Sequence, residues 1–131
     1  MESAHAASSS PPRAIVIGSS GGIGAALARA LTSSGYDVTG LSRSSAAGSG
    51  GMTIDLLSER SIESAAASLK DYGPYRMIIV ASGLLRDAEV RPEKTYRDLS
   101  QSALMRYFAV NAVGPALIAK HFLPLLPKDE P

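Results

Sequence analysis

Seven residues, Gly18-Ser-Ser-Gly21-Gly22-Ile23-Gly24, constrain this chain more than any other stretch. They follow a β-branched run, Arg13-Ala-Ile-Val-Ile17, which reads as a short buried strand. They open a segment, 22–34, in which Ile23, Leu27, Ala30 and Leu31 recur at helical spacing before Gly35 closes it. A glycine string alone marks only a turn. Between a strand and a helix it has three jobs: to turn the chain sharply, to let backbone approach a ligand, and to pack helix on strand. The helix amino terminus then offers unpaired N–H groups and partial positive charge to phosphates. Gly18, Ser20, Gly21, Gly22, Ile23 and Gly24 are therefore candidate nucleotide-binding residues.

Downstream, strands and helices continue to alternate. Tyr36–Ser42 reads as a second strand, 44–51 as a Gly/Ser loop, and Met52–Asp55 as a short third strand. Ser58 can cap a helix with the stripe Ile62, Ala65, Ala66 and Leu69. Met77–Ala81, wholly apolar, is a fourth strand of the kind buried inside a parallel sheet, yet with no fifth strand to count after it one flank is expected to be unpaired. Residues 95–126 read as mainly helical, with Leu99, Leu104, Phe108, Leu117, Phe122 and Leu125 as the apolar face. The expectation is a three-layer α/β/α domain on a parallel sheet of about four strands, joined by right-handed crossovers.

The 131 residues suffice for one domain, expected over 13–131 behind a disordered leader at 1–12. A formal net charge of +1 gives no electrostatic case for a nucleic-acid or membrane partner. Uninterrupted apolar runs fall short of a membrane span. The leader lacks an apolar core and has no arginine before Arg13, so neither secretion nor an organelle is indicated and the cytoplasm is expected. With no cysteine, disulfides, zinc-thiolate sites and thiol catalysis are excluded, and no metal site is expected. His5 and His121 have no metal partner near them in sequence.

The end of the second strand discriminates between cofactors. An acidic residue there would bind both ribose hydroxyls of NAD(H). This chain instead has Ser42-Arg43-Ser44, where a guanidinium beside hydroxyls suits a 2′-phosphate. NADP(H) is expected over NAD(H).

These features resemble the amino-terminal half of the short-chain dehydrogenase/reductase family, which has the Rossmann fold, over about 13–127. Gly18, Gly22 and Gly24 match that family's loop spacing, whereas Gly18, Gly21 and Gly24 match its extended, epimerase-like relatives. Ile17 stands where the family usually has Thr. The resemblance implies that Asp55, followed by Leu56, meets the adenine amino group; read alone, Asp55 is a capping or turn residue. Val80-Ala81-Ser82-Gly83 falls where the family has Asn-Asn-Ala-Gly, keeps only the glycine, and would line the nicotinamide ribose through Ala81, Ser82 and Gly83. Val110-Asn-Ala-Val-Gly-Pro115 resembles the segment carrying the catalytic Asn, which here is Asn111. Pro115 has no N–H, so the carbonyl four residues back loses its helical partner, and a kink with a free carbonyl is expected at Asn111.

The family implies hydride transfer between nicotinamide and a carbonyl or alcohol carbon, with a Ser and a Tyr-x-x-x-Lys pair. An unperturbed Tyr titrates near 10, so the phenol needs the nearby Lys. Tyr36, Tyr72, Tyr75, Tyr96 and Tyr107 are followed four residues on by Gly40, Arg76, Ile79, Ser100 and Asn111. None is lysine. The chain is expected to be a truncated, inactive portion of an NADP(H)-dependent oxidoreductase acting on a small carbonyl or alcohol. A non-catalytic NADP(H)-binding regulatory module, a piece of an epimerase-like member, and a homo-oligomeric assembly stay open.

Overall fold

The computed structural model describes residues 10–44 and 51–128. Most of the leader and the centre of the 44–51 loop lie outside the described residues. Four strands, β1 (Arg13–Ile17), β2 (Asp37–Ser42), β3 (Met52–Thr53) and β4 (Met77–Val80), form one sheet in the order β3-β2-β1-β4. All three pairings are parallel, with Ile15 opposite Thr39 on one side and Ile78 on the other. Helix α1 (Gly22–Ser33) joins β1 to β2, and α2 (Glu59–Leu69) joins β3 to β4. The two crossovers run in opposite directions along the sheet, so right-handedness puts the helices on opposite faces.

The main core lies on the α2 face. Ile15, Ile17, Leu41 and Ile54 meet Ile62, Ala65, Ala66 and Leu69, the stripe expected of α2. Ser58 caps that helix by accepting the Ser61 N–H. α1 ends in a left-handed Gly35, whose N–H and that of Tyr36 donate to the Thr32 and Leu31 carbonyls, a paired closure that spares two orphan acceptors.

Three expectations need correction. β3 stops at Thr53, because Asp55 turns the chain: its Oδ1 accepts the Leu57 N–H and its own N–H donates to Ser61 Oγ. β4 is not covered as its composition suggests. Among the described residues it pairs only with β1, leaving the expected unpaired flank, and Met77 and Val80 stay over a third exposed. The long helical segment divides into α3 (Gln101–Phe108), a π-turn at Ala109–Val113 and α4 (Gly114–Phe122). The distortion expected from Pro115 is therefore present, as a widened turn. α4 buries Gly114, Ile118 and Phe122, whereas α3 buries nothing fully. Leu99, Leu104 and Phe108 are exposed, and the partly covered positions of α3 are Ala103, Arg106 and Tyr107. A π-turn adds a residue to one turn, so the covered stripe of α4 does not run straight back along α3.

By length and composition the 25 residues Gln101–Leu125 could cross a membrane, which counting uninterrupted apolar runs does not reveal. Here their carboxy-terminal half packs on α2 and the sheet, through Ile118, Phe122 and Leu125.

Candidate functional site

The site forms where β1 and β4 end beside the start of α1. Gly18 takes φ +89°, a left-handed conformation that favours glycine, and its N–H donates to the Leu41 carbonyl at 2.7 Å. A Cβ on Gly18 would stand 2.6 Å from Ser82 Oγ and 2.8 Å from Ser82 N. A Cβ on Gly24 would stand 2.0 Å from the Gly18 carbonyl oxygen, so that glycine is what lets α1 sit against the loop. Gly22 is different: apart from its chain neighbours and the backbone of its own helix, no atom lies within 4 Å of where its Cβ would be. Packing explains Gly18 and Gly24, but the space at Gly22 is open. The first helical bond of α1 runs from the Ala25 N–H to the Gly21 carbonyl, so the N–H groups of 22–24 precede it. No acidic residue occupies the first turn to offset the positive helix end.

A cleft of about 190 Å³ opens there. Its wall includes Gly18, Ser20, Gly21, Ser42, Arg43, Asp55, Leu56, Ala81, Ser82 and Gly83, ten of the candidate residues. Gly22 and Gly24 are not on that wall. Ile23 and Asn111 line a second, wider groove that shares Ala81, Ser82, Gly83 and Leu84 with the cleft. A third groove shares Ser20 and Ser42 and adds Ser19, Thr32, Ser33, Ser44 and Arg29. Among the described residues no carboxylate lines it, and Arg29 and Arg43 have no ion-pair partner.

Individual side chains depart from what the motif suggests. Ser42 is buried, and its hydroxyl donates to the Ser44 carbonyl at 2.7 Å. Asp55 is both turn former and cleft residue: the turn takes Oδ1. Asn111 caps no helix. Its Nδ2 donates to the Leu84 carbonyl at 2.8 Å and its Oδ1 accepts the Leu84 N–H at 2.6 Å. The N–H and C=O of one residue thus engage both ends of the side-chain amide, fixing the chain just after β4.

Sequence reasoning missed Leu84, Arg86, Asp87 and Arg106 on the cleft wall. No motif marks them, because the 19 positions separating Asp87 from Arg106 close only in the folded chain. Asp87 is held down at about 2, first by the Val90 N–H and then by the Arg106 guanidinium and the Glu89 N–H. Asp87 in turn raises Arg106 above its ordinary value.

A parallel sheet in the order 3-2-1-4, with a glycine loop feeding α1 at its carboxyl edge, defines a Rossmann-type nucleotide-binding fold. The chain belongs to the short chain dehydrogenase family, whose family model matches residues 12–131. Among solved structures it is similar to an aldohexose dehydrogenase of Thermoplasma acidophilum in ligand-free form (TM-score 0.73, 22% identity, 88% of this chain and 44% of that one). It is also similar to a Burkholderia multivorans protein described as a short-chain dehydrogenase/reductase with bound NADP (TM-score 0.76, 23% identity, 91% and 55%). A short-chain dehydrogenase of Streptomyces avermitilis gives a TM-score of 0.75 at 22% identity, over 88% and 44%. At these identities the likeness is one of fold. The chain spans about half the length of these proteins. No curated protein matches it.

Proposed function

We propose that this chain is the NADP(H)-binding half of a short-chain oxidoreductase acting on a small carbonyl or alcohol. The observation that carries the reading is the single cleft on which the glycine loop, the β2 end, Asp55 and the β4 end converge. The residues suit a dinucleotide. The pyrophosphate would lie over Gly18, Gly21 and the N–H groups that open α1, and the open space at Gly22 admits it. Asp55 Oδ2 would accept the adenine amino group, since the turn takes Oδ1. Ala81, Ser82 and Gly83 would carry the nicotinamide ribose, with Ile23 and Asn111 on the groove beyond. When bound, the dinucleotide supplies the hydride acceptor or donor.

NADP(H) is favoured over NAD(H) because the β2 end offers Arg43 and no carboxylate, and the groove beside it adds Arg29 and hydroxyls. These 131 residues contain no Tyr-x-x-x-Lys, so the proton transfer to or from substrate has no tuned phenol here. Asn111 serves by holding Leu84 in place. The same absence supports a second reading, a non-catalytic NADP(H)-binding module.

Calorimetric titration of the chain with NADP⁺ and NAD⁺ tests the assignment. NADP⁺ is expected to bind more tightly, and Arg43→Ala to weaken it about tenfold while leaving NAD⁺ nearly unchanged, the loss of one charge-assisted contact. Equal affinity for the two would overturn the NADP(H) preference, and binding of neither would overturn the reading itself.

A further inference from the structure

Leu84, Arg86 and Asp87, just after β4, line one wall of the cleft, and the covered face of α3 grips the stretch 84–90 that carries them. Arg106 makes the strongest contact. Its Nε and Nη2 donate to Asp87 Oδ2 at 2.9 and 2.7 Å, and its Nη1 reaches Glu89 Oε2 at 3.0 Å. Next to it the Tyr107 hydroxyl donates to the Leu85 carbonyl at 3.1 Å. Asp87 also organises its own turn, since Oδ1 accepts the Glu89 and Val90 N–H groups at 2.8 and 2.9 Å. Its two oxygens thus divide the work: one folds the turn and the other fastens it to α3. The Arg106 and Asp87 side chains are only 23% and 12% exposed, and both line the cleft.

A largely covered ion pair is a costly way to hold a loop that apolar packing could hold, because both charges lose water. What it gives in return is fixed geometry: a planar guanidinium on a carboxylate sets distance and angle together. Glu89 and Asp87 offset the Arg106 charge, so the wall takes its shape without adding net positive charge to the cleft.

We propose that Arg106 is a positioning residue of the nucleotide cleft, which by clamping Asp87 keeps 84–87 in the shape that binds the cofactor. This rests on the reading of the cleft as a nucleotide site. The test uses the full chain with Asp87→Asn, Arg106→Gln and the double variant. Asparagine keeps the oxygen that folds the turn and loses the charge that holds Arg106. NADP⁺ affinity and amide hydrogen exchange over 84–90 are measured on each. Each single variant is expected to weaken NADP⁺ about fivefold and to speed exchange at Leu84 and Val90, with protection elsewhere kept. The double variant is expected to be no weaker than either single one, because both break one interaction. Faster exchange with affinity within about twofold of the parent would make the clamp purely structural and overturn the inference. Additive losses would overturn it as well. If the parent binds neither NADP⁺ nor NAD⁺, the reading of the cleft fails first and takes this inference with it.

Discussion

Glycines of one loop do unlike things, and substitution separates them. Gly24 faces the Gly18 carbonyl so closely that an added methyl must push α1 off the loop. Gly24→Ala is expected to cost about 3 kcal/mol or more, the range of severe overpacking, and to show as a large fall in the thermal midpoint. Gly22→Ala meets nothing and replaces a poor helix former. It is expected to leave stability the same or slightly higher while reducing NADP⁺ binding, because the methyl would occupy the space left for the phosphates. Circular dichroism melts and titration on the two variants distinguish the fold-side glycine from the ligand-side one. Equal stability losses would mean that both serve the fold.

Between elements, a three-residue ionic contact ties α2 to α4. Glu59 Oε1 accepts from Lys120 Nζ at 2.7 Å and lies 3.0 Å from His121 Nε2. The arrangement suits both helix ends, with the acid in the first turn of α2 and the bases in the last turn of α4. The Lys120 and then the His121 hydrogen bonds lower the Glu59 carboxyl below its ordinary 4.5. A depressed acid stabilises the fold above its unfolded value and loses that contribution as the pH falls through the folded one. Glu59→Gln is therefore expected to be less stable than the parent near neutrality, with the two urea midpoints converging as the pH falls below the ordinary carboxylate range. A gap that persists in acid would show that charge is not what Glu59 contributes. Its exposure predicts a small effect.

At the scale of the molecule, the sheet is unevenly protected. The α2 face has a continuous core, while the far flank of β4 has no partner among the described residues. Val80 at 37% and Ile23 at 74% exposure stand beside that edge. An apolar parallel strand with a free edge is a template for other chains. This 131-residue chain is expected to self-associate in sedimentation experiments, and Val80→Lys to shift it toward monomer by charging the edge. A parent that sediments as a monomer at all concentrations would show the edge to be protected in solution.

By itself the sequence determined the order of elements, the glycine loop between β1 and α1, and the residues along it. β1, the α2 stripe, the Ser58 cap and the Gly35 closure are local, and local rules of period, capping and glycine freedom read them correctly. Ten candidate residues fell on one cleft because a parallel sheet gathers its carboxyl ends at one edge, so a position at a strand end is already a position in space. Tertiary structure decided what depends on neighbours distant in sequence. The apolar letters of α3 could not show which way a π-turn had set them. Likewise, neither Arg106 nor Asp87 carries a signal alone. Their meeting, and that of Asn111 with Leu84, depends on how α3 docks over the end of β4, a geometry that no period or spacing along the chain encodes.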